Sequence, residues 1–385
     1  MDEETLRRLA IWRFEQGDRP AEIWLRLGRS RRWFFKWLAR YRTEGPAALA
    51  GRSRAHRSHP RAAGERVRAA VQALRDDHPS WGERTIAREL PARVIGPVLA
   101  HATVGRILRQ AGRTDRVRAH PPTARYPKLD PQQPLDLIEH DFLGPRWILG
   151  FGRVFCYQSM DIWSRAVFLG SQRDKAAPTQ LAYWLGLFER FGLPRVVQTD
   201  NEFGITSGGL RGAVPFTRLT RLFLALGIEH RFIPAGEPYR NGHIERFNRT
   251  YREDFYDQHV FRDLDHLRVR EAQYAQYFNQ RRPHGGIGYA VPASRFPPER
   301  SRLEAGRTPA DFDLDRRRLA AGRVTYVRRV GSEGEITILN GQPVRLDPSL
   351  AGEYVSALIQ TPSLELTVLT ADGEAVPAIR GGSAR

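Results

Sequence analysis

The pattern of this chain changes at residue 135, and no single repeating architecture accommodates both sides of the change. Upstream, apolar residues recur at helical spacing between Gly and Pro stops. Downstream, short alternating or continuous apolar runs read as strands. With 385 residues there is room for several domains. The expected fold class is therefore multidomain: N-terminal all-α helix-turn-helix modules, a central α/β core and a small C-terminal β-barrel.

Residues 3–16 place Leu6, Leu9, Ile11, Trp12 and Phe14 among polar residues, and Gly17 ends the run. Pro20 opens a short helix that Gly28 stops, and Ser30 caps a third helix through Arg42. Two helices, a tight turn and a helix make the helix-turn-helix plan. Its last helix enters the major groove. Here that helix carries Arg31, Arg32, Lys36, Arg40 and Arg42, with Trp33, Phe34, Trp37 and Leu38 as its packing side. The plainer alternative is a three-helix bundle with a solvated basic face.

This first module is bounded at 1–45. Residues 46–64 read as a basic linker whose Arg52, Arg54 and Arg57 suit a phosphate backbone or a minor groove. Residues 65–113 repeat the helical theme, with stops at Pro79, Pro91 and Gly112. They read as a second helix-turn-helix or winged-helix-like module, with Arg106, Arg109 and Arg113 on or just beyond its last helix. A Pro-rich basic linker covers 114–134.

Charge follows the same division. The chain carries a formal +18, yet residues 1–130 alone hold 28 Lys and Arg against 14 Asp and Glu. Residues 311–385 hold 9 against 10. A polyanionic partner suits the N-terminal third, and double-stranded DNA suits the helix-turn-helix pattern. Cys156 is the single cysteine, which excludes an intrachain disulfide and a Cys-based zinc site and fits a reducing cytosol. No apolar run is long enough to span a membrane, and the N-terminus lacks the apolar stretch of a signal peptide. The expected location is cytoplasmic and nucleoid-associated.

Within 135–298, strand hairpins give way to alternating helices and strands, the mark of a mixed sheet with helices on both faces. Asp141 falls on the first strand, Asp200 at the end of a later one, and Glu245 on the first turns of a long helix. Three such carboxylates can converge on hard divalent cations. Two cations can stabilise the attacking and leaving oxygens of a phosphodiester exchange. Crowded carboxylates repel, so at least one pKa should be raised without metal. Any single acid is by default a solvated surface charge. Glu139 rivals Asp141, because positions two apart share a strand face, and Asp161 also ends a strand.

Context separates the chosen three. QTDNEFG, PYRNGHIERFNRT and YFNQRRPHGGIGYAVPASRF, in that order, resemble motifs of DDE transposases with a retroviral-integrase-type core, closest to the IS481 and IS3 types. The resemblance covers roughly 135–297. It implies an RNase H-like core, with Asp141, Asp200 and Glu245 as catalytic metal ligands for two Mg²⁺ ions, or Mn²⁺ in their place. It implies recognition of element-end inverted repeats, 3′-end cleavage and strand transfer into target DNA, by a homodimer or higher oligomer. Asn241, Arg246 and Arg249 flank Glu245 as candidate DNA contacts, with Asn241 equally a helix cap. Arg282, Pro283 and His284 read as a turn. The sequence departs from the family in two ways. Forty-four residues separate Asp200 from Glu245, with the excess in ITSGGLRGAVPF, and Glu202 stands directly after Asn201 where a glycine is expected. Residues 299–320 read as a linker and 321–385 as the β-barrel. Rival readings are a non-catalytic DNA-binding regulator and an RNase H-like nuclease. The need for a helper protein stays open.

Overall fold

The computed structural model describes residues 2–50, 63–92, 98–114, 124–201, 216–296, 302–315, 318–338 and 342–380. It divides into two compact units, Met1–Gly64 and Glu65–Arg385.

The first unit contains α1 (Glu3–Glu15), α2 (Pro20–Arg26) and α3 (Arg31–Glu44). Asp2 caps α1 by accepting from the Thr5 N–H at 2.9 Å. Ser30 caps α3 by accepting from the Trp33 N–H at 3.2 Å. Each satisfies a backbone donor that the first helical turn leaves unpaired. Ala10, Ile11, Ile23, Phe34, Trp37 and Leu38 form the core. Trp33 lies only partly buried at its margin. Leu49 belongs to this core as well, from a 3₁₀ turn at Pro46–Ala50, and its carbonyl accepts from Arg7 Nη1 at 3.0 Å. The first module thus extends beyond the expected boundary at 45. The sequence places a single large apolar side chain there, too few for a periodicity to show.

The second unit opens with α4 (Glu65–Asp77), α5 (Glu83–Glu89) and α6 (His101–Gln110). Val71, Leu74, Ile86, Val104, Ile107 and Leu108 are buried among them. A nine-stranded sheet follows. Its hairpin, β1 (Leu137–Ile148) with β2 (Gly152–Asp161), is antiparallel and bulges between Leu143 and Arg146, where Pro145 has no N–H to offer the ladder. Next to β2 lies the short β3 (Val167–Leu169), and on the other side of β1 run β4 (Val196–Thr199) and β5 (Glu229–Phe232), both parallel.

Alternation along β1 sorts its residues by face. Ile138 and Phe142 join the cluster that contains Trp184 and Phe188 of α7 (Ala177–Phe191) and Leu222 and Phe223 of α8 (Arg218–Ala225). Leu137 joins the opposite cluster, with Ile244, Phe247 and Tyr251 of α9 (Gly242–Asp254) and Leu267, Tyr274 and Phe278 of α10 (Leu264–Gln280). A sheet covered on both faces buries such a strand throughout: all four residues of Val196–Thr199 are buried, Gln198 and Thr199 among them.

The C-terminal strands are present, but they do not stand apart as a barrel. Strand β6 (Gly322–Arg329) pairs in parallel with β5, and β9 (Tyr354–Thr361), β10 (Glu365–Thr370) and β11 (Ala375–Val376) extend the same sheet. A three-stranded sheet of β7 (Glu335–Ile338), β8 (Gln342–Arg345) and β12 (Ile379–Arg380) completes the region. Ile336, Val344, Val355 and Ile359 share one hydrophobic cluster with the α7 face of the core. Without β6, β5 would present an unpaired edge, and covering it removes that liability.

Candidate active site

Strand β1 aims Leu137, Glu139 and Asp141 at the face that meets α9. The parallel ladder pairs Glu139 with Gln198, so the register continued by two residues brings Asp141 alongside Asp200. Glu245 enters from the first turn of α9. Three elements thus bring Asp141, Asp200 and Glu245, all half-buried, to one region of the sheet.

Their electrostatics agree. The Asp141 carboxyl is pushed up to about 6, first by burial; the charges of Asp200 and Glu245 push it the same way, while the Phe142 N–H and Asn248 pull it down. Phe142 N–H donates to Asp141 Oδ1 at 2.8 Å, and Asn248 Nδ2 donates to Oδ2 at 2.7 Å. Burial also raises the Glu245 carboxyl. Among the described residues, however, no group of three or more His, Cys, Asp or Glu is gathered closely enough to hold a metal ion. The acids lie in electrostatic reach of one another without forming a closed ligand cage.

The donor set suits a hard divalent cation: carboxylate oxygens, with the amide oxygen Asn248 Oδ1 buried beside them and lacking a hydrogen-bond partner. Unpartnered buried acceptors are costly, and a cation or its bound water would satisfy this one.

Glu139, the rival of Asp141, has a different task. It is 4 % exposed, and its Oε2 accepts from the His243 N–H at 3.1 Å and the Ile244 N–H at 3.0 Å. It therefore ties β1 to the start of α9, where unpaired N–H groups and the helix dipole favour an acid. Burial pushes it up to about 7; the two N–H groups and Arg165 pull it down, and Glu245 pushes it up. Asp161 is likewise internal, accepting from Leu135 N–H at 2.7 Å and from Ser164.

Asp200 follows a buried Thr199 whose Oγ1 donates to the Asp200 carbonyl at 3.0 Å and lies 3.0 Å from His230 Nε2. Burial pushes the His230 imidazole down to about 3, so it remains neutral. On the other side, Asn201 Nδ2 donates to the Ile233 carbonyl at 2.6 Å, and its Oδ1 accepts from Arg328 Nη2 at 3.0 Å. The long segment expected to absorb the extra spacing falls mostly at 202–215, outside the described residues.

Asn241 stands at the N-cap position of α9, but its side chain makes no cap bond. It is 3 % exposed, accepts from Gln198 Nε2 at 3.0 Å and donates to the His140 carbonyl at 3.1 Å. Both ends of its amide are used inside the fold, where it joins β4, β1 and the approach to α9. The Arg113 guanidinium pairs with Asp76 at 2.8 and 2.9 Å and ties the end of α6 to α4. Arg249 is exposed and pairs with Glu253 at 2.7 Å, and Arg246 is exposed.

On α3, Arg31, Arg32, Lys36 and Arg42 are exposed and Arg40 half-buried. Arg40 and Lys36 lie over the Trp37 ring at 5.1 and 5.4 Å, a cation–π support that pre-orients them. On α6, Arg106 and Arg109 are exposed. Arg52, Arg54 and Arg57 lie outside the described residues.

Sequence reasoning missed Asn248, although it sits three residues after Glu245 and so shares its helix face. It also missed how the second helical module meets the core. Ser80 donates from N and Oγ to the Asp254 carboxylate at 3.0 and 2.6 Å, and Arg282 Nη2 donates to Ser80 Oγ at 2.7 Å. His78 stacks between Trp81 and Tyr277, at 4.0 and 6.0 Å. Arg282–His284 leads into a 3₁₀ turn at Gly285–Ile287 that His284 caps by accepting from the Gly286 N–H, and Arg282 also holds this junction.

Comparison with known proteins bears on this arrangement. An integrase core domain family matches residues 226–292, a stretch that contains Glu245 but neither Asp141 nor Asp200. Homeodomain-like domain families match 1–50 and 33–108. An insertion element IS476 protein of 39.2 kDa from Xanthomonas euvesicatoria is 28% identical over 256 residues, 64% of this chain and 69% of that protein. An insertion element IS407 protein of 31.7 kDa from Burkholderia multivorans is 31% identical over 121 residues, 31% of this chain and 39% of that one. The HTLV-2 integrase catalytic core domain, solved in complex with magnesium, is 14% identical and covers 43% of this chain and 99% of its own, at a TM-score of 0.31.

Fold and matches together define an integrase-core protein preceded by homeodomain-like helix-turn-helix modules. Within that class its likeness is to proteins of the insertion elements IS476 and IS407, which supports a kinship with IS3/IS481-like DDE transposases.

Proposed function

We propose that this chain is a transposase that binds the inverted repeats of its element, cuts at the 3′ ends and joins them to target DNA. The observation that carries this reading is the convergence of Asp141 on β1, Asp200 just after β4 and Glu245 in the first turn of α9, close enough that the charges of Asp200 and Glu245 add to burial in raising the Asp141 carboxyl. Groups so perturbed cluster at functional sites. Asp141, Asp200 and Glu245 would hold divalent cations. Those cations, when bound, supply Lewis acidity to the attacking and leaving oxygens of a phosphodiester.

The remaining chemistry falls to the chain. Asn248 orients Asp141, Glu139 fixes the start of the helix that carries Glu245, and Thr199 and Asn201 hold the backbone on either side of Asp200. Cleavage adds water across a phosphodiester and frees a 3′-OH. Joining forms a new bond from that 3′-OH to a target phosphorus and breaks the target P–O3′ bond, so the number of phosphodiester bonds is conserved and no external energy source is needed. Arg31, Arg32, Lys36, Arg40 and Arg42 grip the phosphates of the element ends, and two ends call for at least two copies of the chain.

A direct test is 3′-end cleavage of a labelled duplex taken from DNA flanking the gene, with Mg²⁺. Wild type should nick it at one position, and Asp141→Asn and Glu245→Gln should bind it without nicking. Nicking by either variant at the wild-type rate would refute the assignment.

A further inference from the structure

The C-terminal strands reach the candidate active site from outside the stretch that matches the integrase core family. Arg328 stands on β6, and every nitrogen of its guanidinium has an acceptor. Nε donates to the Thr337 carbonyl at 2.8 Å, Nη1 to the carbonyls of Val327 and Ile233 at 2.9 and 3.4 Å, and Nη2 to Asn201 Oδ1 at 3.0 Å. The Tyr326 ring supports it from 4.9 Å. Asn201 is bonded at both ends, to Arg328 and to the Ile233 carbonyl that Arg328 also holds.

The same strands hold the approach to Glu245. Tyr354 on β9 donates to Glu237 at 2.8 Å, and Arg240 packs between the rings of Tyr126 and Tyr354 at 4.3 and 4.5 Å. Glu237 and Arg240 are themselves paired at 3.0 Å, Glu237 just before and Arg240 within the 3₁₀ turn Pro238–Asn241 that runs into α9.

We propose that Arg328 is a positioning residue for Asp200: by fixing Asn201 it sets the direction in which the neighbouring carboxylate meets Asp141 and a bound cation. The proposal rests on the function proposed above. A ligand whose backbone is pinned loses less freedom on metal binding, and groups that orient a ligand are worth about 10–100-fold in affinity. Arginine suits the position because its planar fork satisfies several acceptors at fixed angles, whereas lysine offers a single ammonium.

The test measures Mn²⁺ binding by calorimetry on the full-length chain, alongside the Mg²⁺ dependence of strand joining and the thermal melt. Arg328→Ala should weaken Mn²⁺ binding by about 10–100-fold. Arg328→Lys should recover part of that loss, and Asn201→Ala should weaken binding as Arg328→Ala does. The double variant Asn201→Ala/Arg328→Ala should be no worse than the weaker single one, because the two act through one contact. Asn201→Ala and Arg328→Lys, smaller changes to the sheet, keep the question answerable if Arg328→Ala fails to fold. Wild-type Mn²⁺ affinity in Arg328→Ala and Asn201→Ala, with Asp200→Asn unable to bind, would overturn this proposal and leave the function standing. Strictly additive losses that track the melting temperature would also overturn it. Wild-type affinity in Asp200→Asn would overturn the function and the proposal together.

Discussion

Asn248 donates from Nδ2 to Asp141 Oδ2 at 2.7 Å, while its own Oδ1 is buried without a partner. The donor side stabilises the Asp141 carboxylate. Asn248→Ala removes a group that pulls the Asp141 pKa down, so that carboxyl rises beyond about 6 and is less available to a cation at neutral pH. The expected loss in metal-dependent joining is about 10–100-fold, read as a higher Mg²⁺ requirement with unchanged binding of end DNA. Asn248→Ala with wild-type Mg²⁺ dependence would contradict this role.

Glu139 and Asp141 share a strand face but should respond differently to substitution. Glu139→Gln keeps a carbonyl oxygen for the His243 and Ile244 N–H groups and should retain joining, whereas Asp141→Asn should lose it. Glu139 also gives a signed pH effect. Its carboxyl stands at about 7 against an ordinary 4.5, so the folded chain holds a proton that the unfolded chain has released between those values. The stability this contributes is fully present below 4.5 and is lost as pH rises through about 7. Denaturant melts across that window should show wild type losing up to about 3 kcal/mol more than Glu139→Gln. Parallel curves for the two proteins would refute the assignment of the buried proton.

The exposed cations of α3 should act on DNA through counterion release. Arg31→Ala and Arg32→Ala together should weaken binding of end and unrelated duplexes alike, and reduce the salt slope of log K by about 1 for each phosphate left without its cation. Electrophoretic mobility shifts at several salt concentrations measure it. Weakening confined to the element's own ends, with the slope unchanged, would mean these residues read bases instead.

The junction between the second helical module and the core rests on a small buried network. The side chains of Arg282 and Asp254 are only 11% and 3% exposed, and Ser80 hydrogen-bonds to both. Asp254→Ala leaves the Arg282 charge buried without its carboxylate, which should cost about 3 kcal/mol. Limited proteolysis should then release the module more readily than in wild type. A melt within experimental error of wild type would show that the module is held by its aromatic contacts alone.

Local signals carried much of this fold, and their limits follow from what they measure. Ser30, Pro20 and Gly17 mark helix ends by backbone chemistry, and Asp141, Asp200 and Glu245 stand out because each sits in a distinctive short motif. The hidden features depend on residues far apart in the chain. Nothing near Glu139 indicates that its carboxyl meets N–H groups more than a hundred residues later, and nothing around Val324 indicates that it pairs with His230. Asn241 holds the N-cap position that its type favours, but its side chain bonds Gln198 and His140, which lie far from it in sequence, in place of the helix N–H groups. The pairing of Arg113 with Asp76 is likewise set by the tertiary fold and by nothing local.

Asp141, Asp200 and Glu245 are proposed to form one site for strand joining. The most direct measurement mixes purified full-length chain, Mg²⁺, a supercoiled plasmid and a labelled duplex from DNA flanking the gene, with wild type and Glu245→Gln run side by side. Label should join the plasmid with wild type and not with Glu245→Gln, while both bind the duplex equally. Joining by Glu245→Gln at the wild-type rate, or binding without joining by wild type across a range of metal and salt conditions, would contradict the proposal.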